Sequence, residues 1–211
     1  MPPAYLTAGP EHPKARFLFA HGAGAGMETP FMQGIARLLA EREIGTLRFE
    51  FGYMAARRES GGRKPPPKAE RLMDEYRAAV AGVPAGAPLL IGGKSMGGRV
   101  ASLVADELFA EGRIAGLVCL GYPFHPPNKP QQLRTAHLEG LVCPALIVQG
   151  ERDPFGPRAE VEAMRLSPTI RYHWAGDGDH DLGPRGGSGF TRKGNLAAAA
   201  DAVAAFATGL A

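Results

Sequence analysis

The chain is poor in cysteine, in serine and in long apolar runs, and each shortage closes off a class of protein. Its 211 residues include only two cysteines, Cys119 and Cys143, both set inside apolar segments. Two thiols do not make a disulfide framework; they read as small buried core residues. No stretch reaches the roughly 18 consecutive apolar residues of a membrane span. Met1 to Pro13 is rich in proline and polar residues, with no apolar run of the length a secretory signal needs. The expectation is a cytoplasmic protein with no membrane partner. Charge of either sign is also short of dominance: 24 Lys and Arg stand against 21 Asp and Glu, a formal net charge of +3. That lacks the dense basic stripe of a nucleic-acid binder, so no nucleic-acid partner is expected.

What the chain does have is 45% hydrophobic and 21% charged residues, the composition of a globular protein. Its length suits one domain, taken as residues 1–211, and is short for two. Oligomeric state is not legible. Short apolar runs alternate with longer amphipathic ones. Strands are expected over Arg16–Ala20, Thr46–Phe51, Pro88–Ile91, Ile114–Leu120, Ala145–Gln149 and Thr169–Trp174. Helices are expected from near Pro30, over Ala69–Val83, from the turn at Ser95, over Arg158–Leu166 and over Asn195–Leu210. Gly52–Lys68, dense in Arg, Lys, Gly and Pro, reads as a long loop. Tyr122–Pro130 reads as a Pro-rich linker, followed by a short helix or turn around Leu133–Leu138. Alternation of this kind, with continuously apolar strands, predicts an α/β fold: a mainly parallel sheet with helices on both faces. A flavodoxin-like doubly wound sheet shares the alternation, so the loops must decide.

The decisive loop is Gly93-Lys94-Ser95-Met96-Gly97, a G-x-S-x-G between an apolar strand and an apolar-faced helix. A nucleophile elbow needs that context, because its serine sits on a strained turn where side chains two residues away would collide. With only five serines in the chain, chance seldom places one there. A serine hydroxyl needs a base, and the base needs an orienter. Of six histidines, His12 and His21 precede the serine and His173 lies within a predicted strand. His180, in Gly176-Asp177-Gly178-Asp179-His180-Asp181 just after the last strand, is the preferred base over His125. The preferred acid is Asp153, a few residues past the strand Ala145–Gln149. Glu151, Asp106, Asp177, Asp179 and Asp181 are weaker candidates. Backbone N–H groups of Met96 and of Ala23, in the glycine-rich loop His21–Gly26, are the expected oxyanion donors. That loop lacks the G-K-[ST] ending of a phosphate-cradling P-loop.

Together the His21-Gly22-Ala23-Gly24 loop, the Ser95 elbow through Gly98-Arg99, Gln149-Gly150-Glu151-Arg152-Asp153-Pro154-Phe155-Gly156 and Gly178-Asp179-His180 resemble the α/β-hydrolase superfamily over essentially the whole chain. Within it they are most similar to a group of small predicted hydrolases. That group includes testis-expressed protein thirty and the third subunit of the non-specific-lethal histone acetyltransferase complex. Dienelactone-hydrolase-like enzymes are similar too, usually with cysteine where this chain has Ser95. The resemblance implies an α/β-hydrolase fold, a covalent acyl-enzyme and no metal or organic cofactor. The residues themselves read as a serine hydrolase acting on an ester, thioester or activated amide of a small molecule. One eukaryotic branch serves a chromatin complex, so a non-catalytic scaffold on the same fold is the alternative.

About 24 residues separate Leu120 from Ala145, too few for a cap domain. The mouth must then be built by Gly52–Lys68, Tyr122–Pro130 and Leu182–Lys193. Phe124 and His125 are expected to line the acyl pocket. Basic residues of the mouth (Arg57, Arg58, Arg63, Lys64, Lys68, Arg185, Arg192 and Lys193) form either a solvated basic surface, the preferred reading, or a site for a substrate with an anionic group away from the scissile bond.

Overall fold

Side chains alternate across a strand, so a strand with apolar residues at every position must be covered on both faces. Phe17 and Phe19 bury themselves with one group of helices, and Leu18 and Ala20 with another. The computed structural model describes residues 3–62 and 65–210. Its strands, in chain order, are β1 (Leu6–Ala8), β2 (Ala15–Ala20), β3 (Ile44–Phe49), β4 (Leu89–Lys94), β5 (Gly116–Leu120), β6 (Ala145–Gly150) and β7 (Ile170–Ala175). They form one sheet in the order β1-β3-β2-β4-β5-β6-β7. Every pairing is parallel except β1 with β3.

The helices are α1 (Pro30–Ala40), α2 (Gly52–Ser60), α3 (Met73–Ala81), α4 (Met96–Ala110), α5 (Ala136–Glu139), α6 (Arg158–Glu162) and α7 (Arg192–Thr208). One face of the sheet carries α1 and α7, whose Phe31, Ile35, Ala199, Val203 and Phe206 pack on Phe17, Phe19 and Val118. The other carries α3 and α4, with Tyr76, Val100 and Val104 against Leu18, Ile91 and Cys119. Both cysteines are buried free thiols, as expected. No helix among the described residues is long and apolar enough to cross a membrane. Only α5 interrupts the stretch between β5 and β6, and no cap domain is evident.

The sequence reading needs three corrections. Gly52–Lys68 is not one loop: Gly52–Ser60 is helical, closed by Gly61 at φ 66° with its N–H on Arg57 O. That helix buries only Met54, so it carries almost no apolar periodicity to read. Strand β3 runs Ile44–Phe49, ending earlier than expected, because the chain turns into α2 at Phe51. Strand β1 was not anticipated, and three residues are too few to display alternation.

Strand β2 sits between β3 and β4 although it precedes both, so chain direction across the sheet reverses between β2 and β4. Loops leaving the carboxyl ends of two adjacent strands part there and leave a crevice. The loop after β2 is His21–Gly26, and the residue after β4 is Ser95.

Candidate active site

Ser95 holds φ 51° and ψ −116°, a backbone region that costs a residue with a Cβ of order 1–3 kcal/mol. Its N–H donates to Leu120 O at 3.0 Å and its C=O accepts from Arg99 N at 3.1 Å, which pins the turn from both sides. The turn closes only because two neighbours lack side chains. A Cβ on Gly93 would lie 2.6 Å from Ala20 O, and one on Gly97 2.6 Å from His21 O.

The peptide planes on either side of the crevice are fixed by what their carbonyls do. In a trans peptide the N–H points opposite the preceding C=O. Ser95 C=O is held inside the first turn of α4, so Met96 N–H, at the first helical position, has no intrahelical acceptor. Gly22 C=O accepts from His21 Nδ1 at 2.7 Å, and His21 Nε2 accepts from Phe51 N–H at 3.1 Å. Those two bonds define a neutral tautomer, and burial pushes the imidazole below its usual value. Tyr53 Oη reaches Ala23 O at 3.1 Å and Gly22 O at 3.4 Å. Burial raises that phenol to about 12, which keeps it a donor. With the Gly22 carbonyl tied down, Ala23 N–H faces the other way. Ala23 and Ser95 line the same cleft.

Asp153 and His180 come from the ends of β6 and β7. His180 Nδ1 lies 2.8 Å from Asp153 Oδ2. The carboxylate is 0% exposed, and the imidazole side chain 23%. Each oxygen of Asp153 has a further donor: Phe155 N–H to Oδ1 at 2.9 Å, and Gln149 Nε2 to Oδ2 at 3.0 Å. Gln149 is itself buried, and its Oε1 accepts from Tyr122 N at 2.7 Å, so the amide is oriented with its NH2 toward the acid. His180 and Ser95 line one cleft of about 540 Å³.

The other acids have different employment. Asp177 binds Arg185 and Arg152, and the Arg185 hydrogen bonds hold its carboxyl down at about 2. Asp179 turns its own loop by accepting from Asp181 N and Gly183 N. Glu151 takes Asp177 N and Arg158, and Asp106 takes Val142 N and Cys143 N. His137 is bonded to Ser102 Oγ at 2.8 Å, away from the crevice.

Phe124 and His125 do not line the pocket. Phe124 is fully buried under Gly156 and edge-on to Tyr122, while both ring nitrogens of His125 are taken by Pro126 O and Glu160. The Pro-rich linker folds inward there because it must close against α6. The aromatics that line the crevice are Phe31 and Phe155, and the Phe155 ring lies 4.4 Å from that of His180. Much of the expected basic rim is also answered within the chain: Arg58 pairs with Glu50, and Arg185 with Asp177. Arg57 rests by Gly24 O, Arg192 lines the cleft and Lys193 is exposed. Arg63 and Lys64 lie outside the described residues.

Lys94 is the residue sequence reasoning passed over. It is buried, donates to His180 O at 2.7 Å, pairs with Asp181 at 3.3 Å and stands over the Phe31 ring. Burial lowers its ammonium below the ordinary lysine range, and Asp181 opposes that shift. The legible signal was a polar side chain near the end of an otherwise apolar strand. Gln149 gave the same signal at the end of β6.

The model of the alpha/beta hydrolase domain family matches residues 13–208. Among solved structures, an alpha-beta serine hydrolase homologue from Coxiella burnetii is similar with a TM-score of 0.69 at 17% identity, over 98% of this chain and 91% of that one. Dienelactone hydrolase from Anabaena variabilis gives 0.68 at 18% identity, over 95% and 88%. Est1E from Butyrivibrio proteoclasticus, solved with ferulic acid, gives 0.67 at 16% identity, over 96% and 92%. Likeness at such identities concerns the fold, and none of it reaches the narrower grouping with the chromatin-complex subunit.

Proposed function

The chain belongs to the α/β-hydrolase domain family, and from that premise we propose that it is a serine hydrolase. It would cleave an ester, thioester or similar acyl bond of a small molecule through an acyl-enzyme on Ser95. In this reading Ser95 Oγ attacks the acyl carbonyl while His180 Nε2 takes its proton. Asp153, bonded to Nδ1–H, keeps the proton-free nitrogen toward the serine and stabilises the imidazolium. The carbonyl oxygen gains a negative charge and is met by Ala23 N–H and Met96 N–H. Collapse expels the leaving group, which receives the proton from His180. Water then attacks the acyl-enzyme with the same base, returning free Ser95 and the acid.

The observation that carries the reading is the 2.8 Å bond from His180 to a wholly buried carboxylate, on the same cleft as a serine held at φ 51°. A buried carboxylate costs several kcal/mol unless partnered, and here three donors surround it, one of them the imidazole. The test is covalent labelling by a fluorophosphonate probe with turnover of short p-nitrophenyl esters. We expect labelling at Ser95 and hydrolysis, both lost in Ser95→Ala. A folded wild type that takes neither probe nor ester favours the scaffold alternative.

A further inference from the structure

Ser95 opens onto two clefts. The first, already described, contains His180. The second, about 470 Å³, lies on the Met96 side and shares Ala23, Ser95 and Phe155 with the first. Its floor holds two arginines, Arg99 from the first turn of α4 and Arg134 from the segment before α5, with Lys68 at the edge. One carboxylate faces these three cations: Glu70, bonded to Arg99 Nη2 at 2.5 Å. Arg99 is 18% exposed, and its Nε is buried without a hydrogen-bond partner among the described residues. The Arg134 guanidinium has neither an ion pair nor a side-chain hydrogen bond among the described residues, although its backbone is anchored through Phe124 O and Tyr122 Oη. Burial and the neighbouring Arg99 both push Arg134 below the usual arginine range. Like charges crowded in a half-buried cleft destabilise the empty protein, and an anion seated between them relieves that.

The chemistry of the serine hydrolase reading says which half of a substrate lies there. His180 must hand its proton to the leaving group, so the leaving group occupies the His180 cleft and the acyl chain extends into the other. Arg99 sits one helical turn, about 5.4 Å, beyond Ser95, within reach of an acyl chain of a few carbons. Guanidinium groups match a planar carboxylate with paired N–H donors. We propose that the Met96-side cleft is an acyl subsite for a carboxylate, recognised by Arg134 and Arg99, so that the substrates are monoesters or monothioesters of short dicarboxylic acids. This rests on the serine hydrolase reading and names its substrate class; it also moves the expected anion preference from the rim to two residues beside the nucleophile.

The experiment compares mono-p-nitrophenyl glutarate with p-nitrophenyl valerate, which share a leaving group and differ in the terminal carboxylate. Wild type is expected to favour the glutarate by about tenfold or more in kcat/KM, the size of a charge-assisted hydrogen bond. In Arg134→Gln the ratio should fall to about one, and Arg134→Lys should restore part of it. Arg113→Gln, remote from both clefts, should leave the ratio as in wild type. Arg134 is half-buried, so fluorophosphonate labelling of Ser95 in each variant reports whether the site is still assembled. Labelled, active protein with no glutarate preference, or with a preference that Arg134→Gln does not move, overturns the subsite alone. Failure of both esters and of the probe on folded wild type overturns the hydrolase reading, and the subsite falls with it.

Discussion

The two clefts flanking Ser95 both hold cations withdrawn wholly or partly from solvent, and they differ in how completely the protein answers them. On the His180 side, Lys94 has a carbonyl, a carboxylate and an aromatic ring around its ammonium. On the Met96 side, Arg99 is bonded to Glu70 but, among the described residues, keeps an unpartnered Nε, and Arg134 keeps a whole guanidinium without a partner. A charge satisfied from within holds a shape: Lys94 ties the carbonyl of His180 to the strand that carries Ser95. A charge left over costs stability, and persists in a folded chain where a ligand uses it. The comparison separates residues that build the site from residues that select what enters it.

The harshest way to break this comparison is to remove what both clefts share. Ser95→Ala should lower kcat by on the order of 10⁶-fold, whichever ester is used. Because a nucleophile and its base act as one unit, adding His180→Ala to Ser95→Ala should cost little more. Single-turnover measurements with either ester check both. Substituting Asp153→Asn should cost about 10⁴-fold, because an amide donor facing Nδ1 puts the proton on the wrong ring nitrogen. Phe155 N–H would still hold the remaining oxygen, whereas Gln149 Nε2, which shares Oδ2 with His180, would meet a second donor. The loss should therefore appear mainly in kcat and probe-labelling rate, with thermal unfolding lowered by only a few degrees for the one buried hydrogen bond broken. An Asp153→Asn protein that labels as fast as wild type would remove Asp153 from the proposed machinery.

A milder change sharpens the contrast between the clefts. Lys94→Met keeps most of the side-chain volume but removes the ammonium that stands over Phe31, pairs with Asp181 and donates to His180 O. An unsatisfied buried carbonyl costs about 1–3 kcal/mol, and the loop bearing the base loosens. We expect kcat to fall about tenfold equally for p-nitrophenyl valerate and mono-p-nitrophenyl glutarate, leaving their ratio untouched. Arg134→Gln should instead alter the ratio. If Lys94→Met changes the ratio and Arg134→Gln does not, the roles assigned to the two clefts are exchanged.

How much of this was readable beforehand follows the length scale of the signal. The sheet was legible because its central strands are largely apolar on both faces, and the elbow because Gly93 and Gly97 are dictated by contacts of 2.6 Å. Ser95 was expected from its motif, and Asp153 and His180 from chain order and their loops after strand ends; the structure bonds Asp153 to His180, and His180 lines one cleft with Ser95. Phe124 and His125 were misplaced because a Pro-rich linker shows which residues are near a strand end but not which way they turn. Arg99 and Arg134 lie 35 positions apart, and no periodicity announces that a helix turn and a linker will meet. Helix α2 was missed for the opposite reason: its one buried residue, Met54, leaves it almost wholly a surface helix.

The smallest expected effect concerns the internally satisfied groups and follows from their protonation. Burial lowers the imidazoles of His21, His137 and His173 in the native state. Unfolded histidine titrates near 6.5, so below that pH the unfolded chain binds protons the native chain refuses. Stability is then complete above about pH 6.5 and declines as pH falls toward the lowered native values, by up to about 1.4 kcal/mol per pH unit for each histidine kept neutral. The carboxylates held low by arginine, Asp177 and Asp201 among them, act in the same direction only below about pH 4. Between pH 6.5 and 5 the slope therefore belongs to the histidines. Thermal unfolding across that window should lose several degrees, at about 2–4 °C per kcal/mol for a chain of this size. In His21→Gln the slope should shrink by the share of one proton, while kcat drops because Gly22 C=O loses the Nδ1–H that orients the Ala23 peptide. A slope as steep in His21→Gln as in wild type would mean that His21 is not held neutral, and the fixed orientation of the Ala23 N–H would lose its basis.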